Sequence, residues 1–203
     1  MRQHERERCI ARIADLPGRL RELVADLDER QLSAHTIPGE WNVAQNVHHL
    51  ADSHMHAFLQ VKTGLSEDNP LISNYDQDRY ALLPESGQPP VAASLDLLDA
   101  LHSRWVVLWR SLDEAQLART TRVMPDEKSA AAGGQIRCRS LEQILASYAQ
   151  HGEDHLDQIG RTILAAAGDP GLRPAFPVTL YKTSIRAQGR RTIWNSSPSY
   201  AFR

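Results

Sequence analysis

A disulfide framework, a membrane span and an excess of one charge are all missing from this 203-residue chain. It has two cysteines, Cys9 and Cys138, too few to staple a small secreted domain. Both are read as free thiols in a reducing, cytoplasmic setting. No apolar run approaches the roughly 18–20 residues that a membrane helix needs. Lys and Arg number 23 against 25 Asp and Glu, a formal net charge of −2. That balance leaves neither a nucleic-acid groove nor a polybasic membrane patch. The opening segment, Met1 to Arg8, is charged and lacks the apolar stretch of a signal peptide. These absences leave one globular domain, long enough to bury a core, with a small molecule as its expected partner.

Four strongly periodic segments fill most of the chain. The first runs from about Arg6 to Asp28, with Ile10, Ile13, Leu16, Leu20, Leu23, Val24 and Leu27 on one stripe; Pro17 is expected to kink or divide it. The second starts at Asn42, an N-cap whose capping box is completed by Gln45, and turns Val43, Val47, Leu50, Ala51, Phe58 and Val61 inward. The third runs from a Ser94 cap to about Leu112, and its Trp105 and Trp109 read as core. The fourth starts at Ser140, again with a Gln three residues on, and stops near Gly168. Between the second and third, residues 66–90 read as a long loop holding at most one short helix, about Asp76 to Leu83. Between the third and fourth, 122–124 and 135–138 can pair as a short hairpin across Gly133-Gly134.

A hexapeptide recurs: Leu27-Asp28-Glu29-Arg30-Gln31-Leu32 and Leu112-Asp113-Glu114-Ala115-Gln116-Leu117 differ at one position. Each copy follows an apolar helix and precedes a loop that leads to a histidine-bearing helix. The shared order points to a duplicated αα-hairpin and a pseudo-two-fold bundle. The expected fold is therefore all-α, an up-down four-helix bundle over residues 1–169. Residues 170–203 hold six Lys or Arg and no Asp or Glu, and read as an irregular basic extension.

Six of the nine histidines fall in two of these helices. His151 and His155 stand at i and i+4 on the fourth, one turn apart on one face, a spacing that can chelate a single ion. His48, His49, His54 and His56 cluster on the second. His54 lies within its apolar stripe, whereas His49 lies outside, on a polar face with Gln45, Asp52, Ser53 and His56. If the two helices pack side by side, His49, His151 and His155 supply three neutral nitrogens. That set suits Zn2+ first, with Ni2+ or Fe2+ compatible. Three protein ligands leave a position open, as in catalytic sites; His48 or His54 as a fourth would close it and make the site structural. This is not the H-E-x-x-H arrangement, because Gly152 stands where the glutamate base would be. Glu153 and Asp154 point away from the histidine face. Asp52, one turn beyond His49, is the candidate proton acceptor or outer partner of the site.

The run Gly39-Glu40-Trp41-Asn42-Val43-Ala44-Gln45-Asn46-Val47-His48-His49-Leu50-Ala51-Asp52-Ser53-His54, the helix carrying Trp105, and Tyr148-Ala149-Gln150-His151-Gly152-Glu153-Asp154-His155 resemble the DinB-like superfamily, and within it the YfiT-like branch of metal-dependent hydrolases. The resemblance covers roughly residues 8–168. It implies a four-helix bundle, often a homodimer, with one divalent metal on three histidines; position by position these are His49, His151 and His155. It implies hydrolysis by a metal-bound water. Relatives of that superfamily also include thiol S-transferases, so transfer of a low-molecular-weight thiol to an electrophile stays open as an alternative. A non-catalytic metal-binding stress protein and a metal-free bundle complete the readings that the residues allow.

Overall fold

In a computed structural model that describes residues 1–169, 171 and 172, the described residues form eight helices and three short strands. Four of the helices are long: α1 (Gln3–Val24), α3 (Val43–Ser66), α5 (Ala92–Ser111) and α8 (Leu141–Ala166). The short ones are α2 (Glu29–Ser33), α4 (Gln77–Ala81), α6 (Glu114–Ala118) and α7 (Glu127–Ala131). Strands β1 (Leu71–Ile72), β2 (Thr120–Val123) and β3 (Arg137–Ser140) make one small sheet, with β1 parallel and β3 antiparallel to β2. The hairpin foreseen around Gly133-Gly134 thus exists, with Arg122 opposite Cys138, but α7 occupies its connection. Among the described residues no helix is long and apolar enough to cross a membrane. The expectation for the basic extension falls, beyond Leu172, outside the described residues.

Local chemistry explains the helix starts. Asn42 caps α3 and Ser140 caps α8, each exchanging hydrogen bonds with the glutamine three residues on. The two hexapeptides do the same on a smaller scale. Asp28 with Gln31 starts α2, and Asp113 with Gln116 starts α6. The repeat is therefore one device used twice, a capped turn of helix that reverses the chain after a long helix. One expected cap is corrected: α5 begins at Ala92, and Ser94 sits inside it, free to bond elsewhere. The helix holding Pro17 is not divided; α1 runs through it.

The four long helices form the expected bundle, in an order that departs from two antiparallel hairpins side by side. Contacts along α1 and α8 rise together, Arg12 to Gln150, Leu16 against Gly152 and Arg19 to Glu153, so these helices are parallel neighbours. Helices α3 and α5 are parallel too, through His48 to Ser94, His54 to His102 and Phe58 against Trp105. Asn46 to His155 and Gly64 against Leu141 make α3 and α8 antiparallel; Arg6 to Leu112 and Arg21 to Asp96 make α1 and α5 so. The helices run up, down, down, up, and α1 lies across the diagonal from α3. The reason is the length of the connections. A short loop forces neighbours, whereas residues 25–42 and 112–140 are long enough to cross an end of the bundle. Residues 67–91 return the whole length of α3, about 36 Å for its 24 residues. On the way Ala81 accepts from Gln45, Gly87 from Asn42, and Gln88 from His48. The polar face of α3 is covered as a result.

Two apolar clusters fill the bundle. One holds Ile10, Phe58, Trp105, Trp109, Leu141 and Leu145; the other holds Leu20, Val47, Leu50, Leu98 and Ile159. Both tryptophans are fully buried, as expected of core. At the waist between the clusters lies a layer of imidazoles.

Candidate metal centre

Antiparallel packing of α3 on α8 sets His49 beside the His151/His155 pair. One ring nitrogen from each of the three lies within 4.8 Å of the other two. The Nε2 atoms of His49 and His151 are 3.2 Å apart. Two nitrogens bound to one tetrahedral Zn2+ would be about 3.3 Å apart, so this spacing fits a shared ion. His49 is buried and the other two are half-buried. The Trp41 ring covers one side, 4.8 Å from the His49 ring and stacked 6.3 Å from that of His155.

On His155 and His151 the nitrogen facing away from the cluster is held. Asn46 donates its amide to the Asn42 carbonyl, which leaves its Oδ1 as an acceptor 2.8 Å from His155 Nδ1. His155 therefore carries its hydrogen on Nδ1, and Nε2 keeps its lone pair. His151 Nδ1 stands 3.1 Å from His54 Nε2, and His54 Nδ1 stands 2.8 Å from His102 Nε2.

Desolvation keeps these rings neutral. Burial, helped by His151, pushes His49 down to about 3, and burial alone takes His151 to about 4. His54 and His155 are pushed well below the usual histidine value by burial and by the neighbouring imidazoles. Burial lowers His102 to about 4 against the opposing pull of the Ile13 carbonyl and Asp99. Among the described residues, the titratable groups that shift the three clustered histidines are themselves histidines, with no carboxylate among them. An imidazole must be unprotonated to give its lone pair to a divalent ion, and these rings meet that condition.

The remaining candidates lie elsewhere. His48 uses both ring nitrogens, on Gln88 O and Ser94 Oγ, and His54 uses both on histidines, so neither supplies a fourth ligand. Asp52 is half-buried beside Glu85, His48 and His56; burial and Glu85 raise its carboxyl, and it is not part of the cluster. Glu153 pairs with Arg19 and Asp154 accepts from Gln150, both turned from the histidine face as helix geometry predicts. Three contributors were not foreseen: Trp41, Asn46 and His102. Asn46 carried a signal, three residues before His49 on the same face. His102 did as well, since a histidine three residues from Trp105 interrupts an apolar stripe and needs a partner there.

The model of the DinB superfamily matches residues 12–159. A "putative metal-dependent hydrolase" of Halalkalibacterium halodurans is 37% identical over 155 residues, 76% of this chain and 84% of the relative. One from Geobacillus thermodenitrificans, with the same name, is 39% identical over 150 residues, 74% and 79% of the two chains. Among solved structures, YfiT from Bacillus subtilis superposes with a TM-score of 0.72 at 30% identity, covering 80% of this chain and 87% of its own. It is described as a probable metal-dependent hydrolase with an unusual four-helix bundle topology.

Proposed function

Because the chain belongs to the DinB superfamily, we propose that it is a metal-dependent enzyme whose single divalent ion, Zn2+ before Ni2+ or Fe2+, is held by His49, His151 and His155, and that it hydrolyses a small-molecule substrate. The observation that carries this reading is the convergence of three neutral imidazole nitrogens with no fourth protein ligand among the described residues. An ion in such a site supplies Lewis-acid polarisation and a more acidic water. The protein's own part is to orient and to exclude. Asn46 fixes the His155 ring, Trp41 shields the His49 and His155 faces, and the apolar clusters on either side keep the donors dry. Three neutral donors would leave the ion's double charge uncompensated, so His49, His151 and His155 would suit a substrate or cosubstrate that brings negative charge. Asp52 lies beside Glu85 and outside the cluster, and is given no step in this reading.

The test is metal content by mass spectrometry on untagged full-length protein, followed by a screen of ester, amide and electrophile substrates in water alone and with added thiol. One ion per chain, and turnover in water alone that chelation abolishes and Zn2+ restores, is the expected result. Turnover that requires the thiol would reassign the reaction to S-transfer. Full occupancy in His151→Ala would sink the site assignment itself.

A further inference from the structure

The proline inside α1 plays no part in the site described above, yet a line of contacts leads from it to the cluster. Proline has no amide hydrogen, so Pro17 leaves the carbonyl of Ile13, four residues earlier, without its helical donor. Ile13 is 1% exposed, and an unpaired acceptor there is costly. His102 of α5, also buried, meets it with Nδ1 2.5 Å from the oxygen. A carbonyl only accepts, so that nitrogen carries the hydrogen. In a neutral ring the other nitrogen must then be an acceptor. His102 Nε2 faces His54 Nδ1 at 2.8 Å, which makes His54 Nδ1 the donor and His54 Nε2 an acceptor. That acceptor faces His151 Nδ1 at 3.1 Å, so His151 also carries its hydrogen on Nδ1. Each step follows from the one before, and the direction is set by the single group that cannot donate. At the far end His151 Nε2 is left with a lone pair, 3.2 Å from His49 Nε2.

We propose that Pro17, His102 and His54 are positioning residues: the carbonyl that Pro17 leaves open anchors a one-directional imidazole chain across all four long helices, and the chain holds His151 as the Nδ1–H tautomer with Nε2 bare toward the metal centre. The proposal rests on the reading of His49, His151 and His155 as that centre. A free neutral imidazole populates both tautomers, and the wrong one places a hydrogen where the ion belongs. Partners of this kind typically change metal affinity 10–100-fold when removed. They also account for two fully buried histidines at positions where leucine would pack without needing hydrogen bonds.

The experiment uses full-length protein labelled with 15N-histidine, metal-free at about pH 7.5, where these rings are neutral. Long-range 1H–15N correlation is expected to show His54, His102 and His151 all as Nδ1–H. Zn2+ affinity is then measured by competition with a chromophoric chelator. His102→Leu is expected to shift His151 toward the other tautomer and to weaken Zn2+ about 10–100-fold. His102→Gln can still donate to Ile13 O and accept from His54, and should stay within about three-fold of wild type. Pro17→Ala returns an amide donor to the Ile13 oxygen, which then competes with His102, and a loss of a few-fold is expected. An Nε2–H His151 in the wild-type protein overturns the proposal, as does a His102→Leu variant with unchanged tautomer and affinity. Unchanged affinity in Pro17→Ala removes Pro17 from the chain. If His102→Leu does not fold, the wild-type spectrum and His102→Gln decide. A wild-type protein that takes up no Zn2+ defeats the metal reading, while the His151 tautomer still decides the chain.

Discussion

An imidazole taken out of water is stable as a cation only when an anion offsets the lost hydration, and five rings held below the usual histidine value meet at the waist of this bundle. The consequence for acid stability has a definite sign. Folded-state values of about 4 for His151 and His102 and about 3 for His49 lie below the ordinary histidine value. Between those values and about 6.5 the unfolded chain binds more protons than the folded one, so stability is fully present above about pH 6.5 and is lost as pH falls toward 4 and below. Each such group can contribute a slope of up to about 1.4 kcal/mol per pH unit. Urea unfolding of chelator-treated protein at several pH values is expected to show the midpoint dropping steadily below neutrality. A flat profile between pH 7 and 5 would contradict the neutral assignment. Asn46 allows a second test on one residue. Asn46→Leu removes the acceptor for His155 Nδ1 and is expected to weaken Zn2+ binding about 10–100-fold while helicity by circular dichroism is retained.

Among the elements, α3 and α8, which carry the three clustered histidines, start with the same device but are not anchored equally. Ser140 caps α8 and does little else, so Ser140→Ala should cost about 1 kcal/mol. Asn42 caps α3, and its amide also donates to Ser33 O and Gly87 O, joining the α2 turn to the returning connection. Asn42→Ala strands those carbonyls and is expected to cost about 2–3 kcal/mol. Chemical denaturation of the two variants side by side measures the difference, and equal losses would show that the connection is held by other contacts. Close approach marks a second point. A Cβ at Gly64 of α3 would sit 2.7 Å from Thr121 Cγ2 and 2.9 Å from Leu141 Cδ2. Gly64→Ala should therefore destabilise by about 1–2 kcal/mol despite alanine's better helix propensity. A stabilised Gly64→Ala protein would mean that β2 and α8 yield more easily than their packing implies.

For the molecule as a whole, the decisive quantity is how much of the fold depends on the metal. Two apolar clusters spanning all four long helices suffice to hold a domain of this size without it. Chelation is expected to abolish activity and leave the far-ultraviolet helical signal intact. Restored ion should add about 3–4 kcal/mol at a free concentration a few hundred-fold above its dissociation constant, a rise of several degrees in Tm. Loss of helicity on chelation would instead mark a structural site. Truncation belongs to the same scale. Gln31 donates to the Leu172 carbonyl, so a chain ending at Leu172 keeps that tie and should retain the wild-type Tm and metal affinity. An insoluble truncation would show that residues beyond it are packed on the bundle.

What the sequence settled by itself is whatever depends on nearest neighbours along the chain. Apolar spacing of three and four marked the four long helices, and the Asn42 and Ser140 caps set their starts to the residue, because period and capping are properties of a few consecutive side chains. The i, i+4 pair of His151 and His155 was legible for the same reason. That His49 joins them followed from chemistry once α3 and α8 were taken as neighbours. Tertiary structure alone decided the order of the helices, because long connections permit either a neighbour or a diagonal and only packing of the whole set chooses. It also decided which polar residues support the site. His102 and Ile13 lie far from His151 in sequence, and nothing local to any one helix reveals that a proline's missing hydrogen bond in α1 is answered from α5. The same holds for Asp52. One turn from His49 is one turn along the helix, but a 60° rotation about the axis brings it beside Glu85 and the returning connection rather than into the cluster.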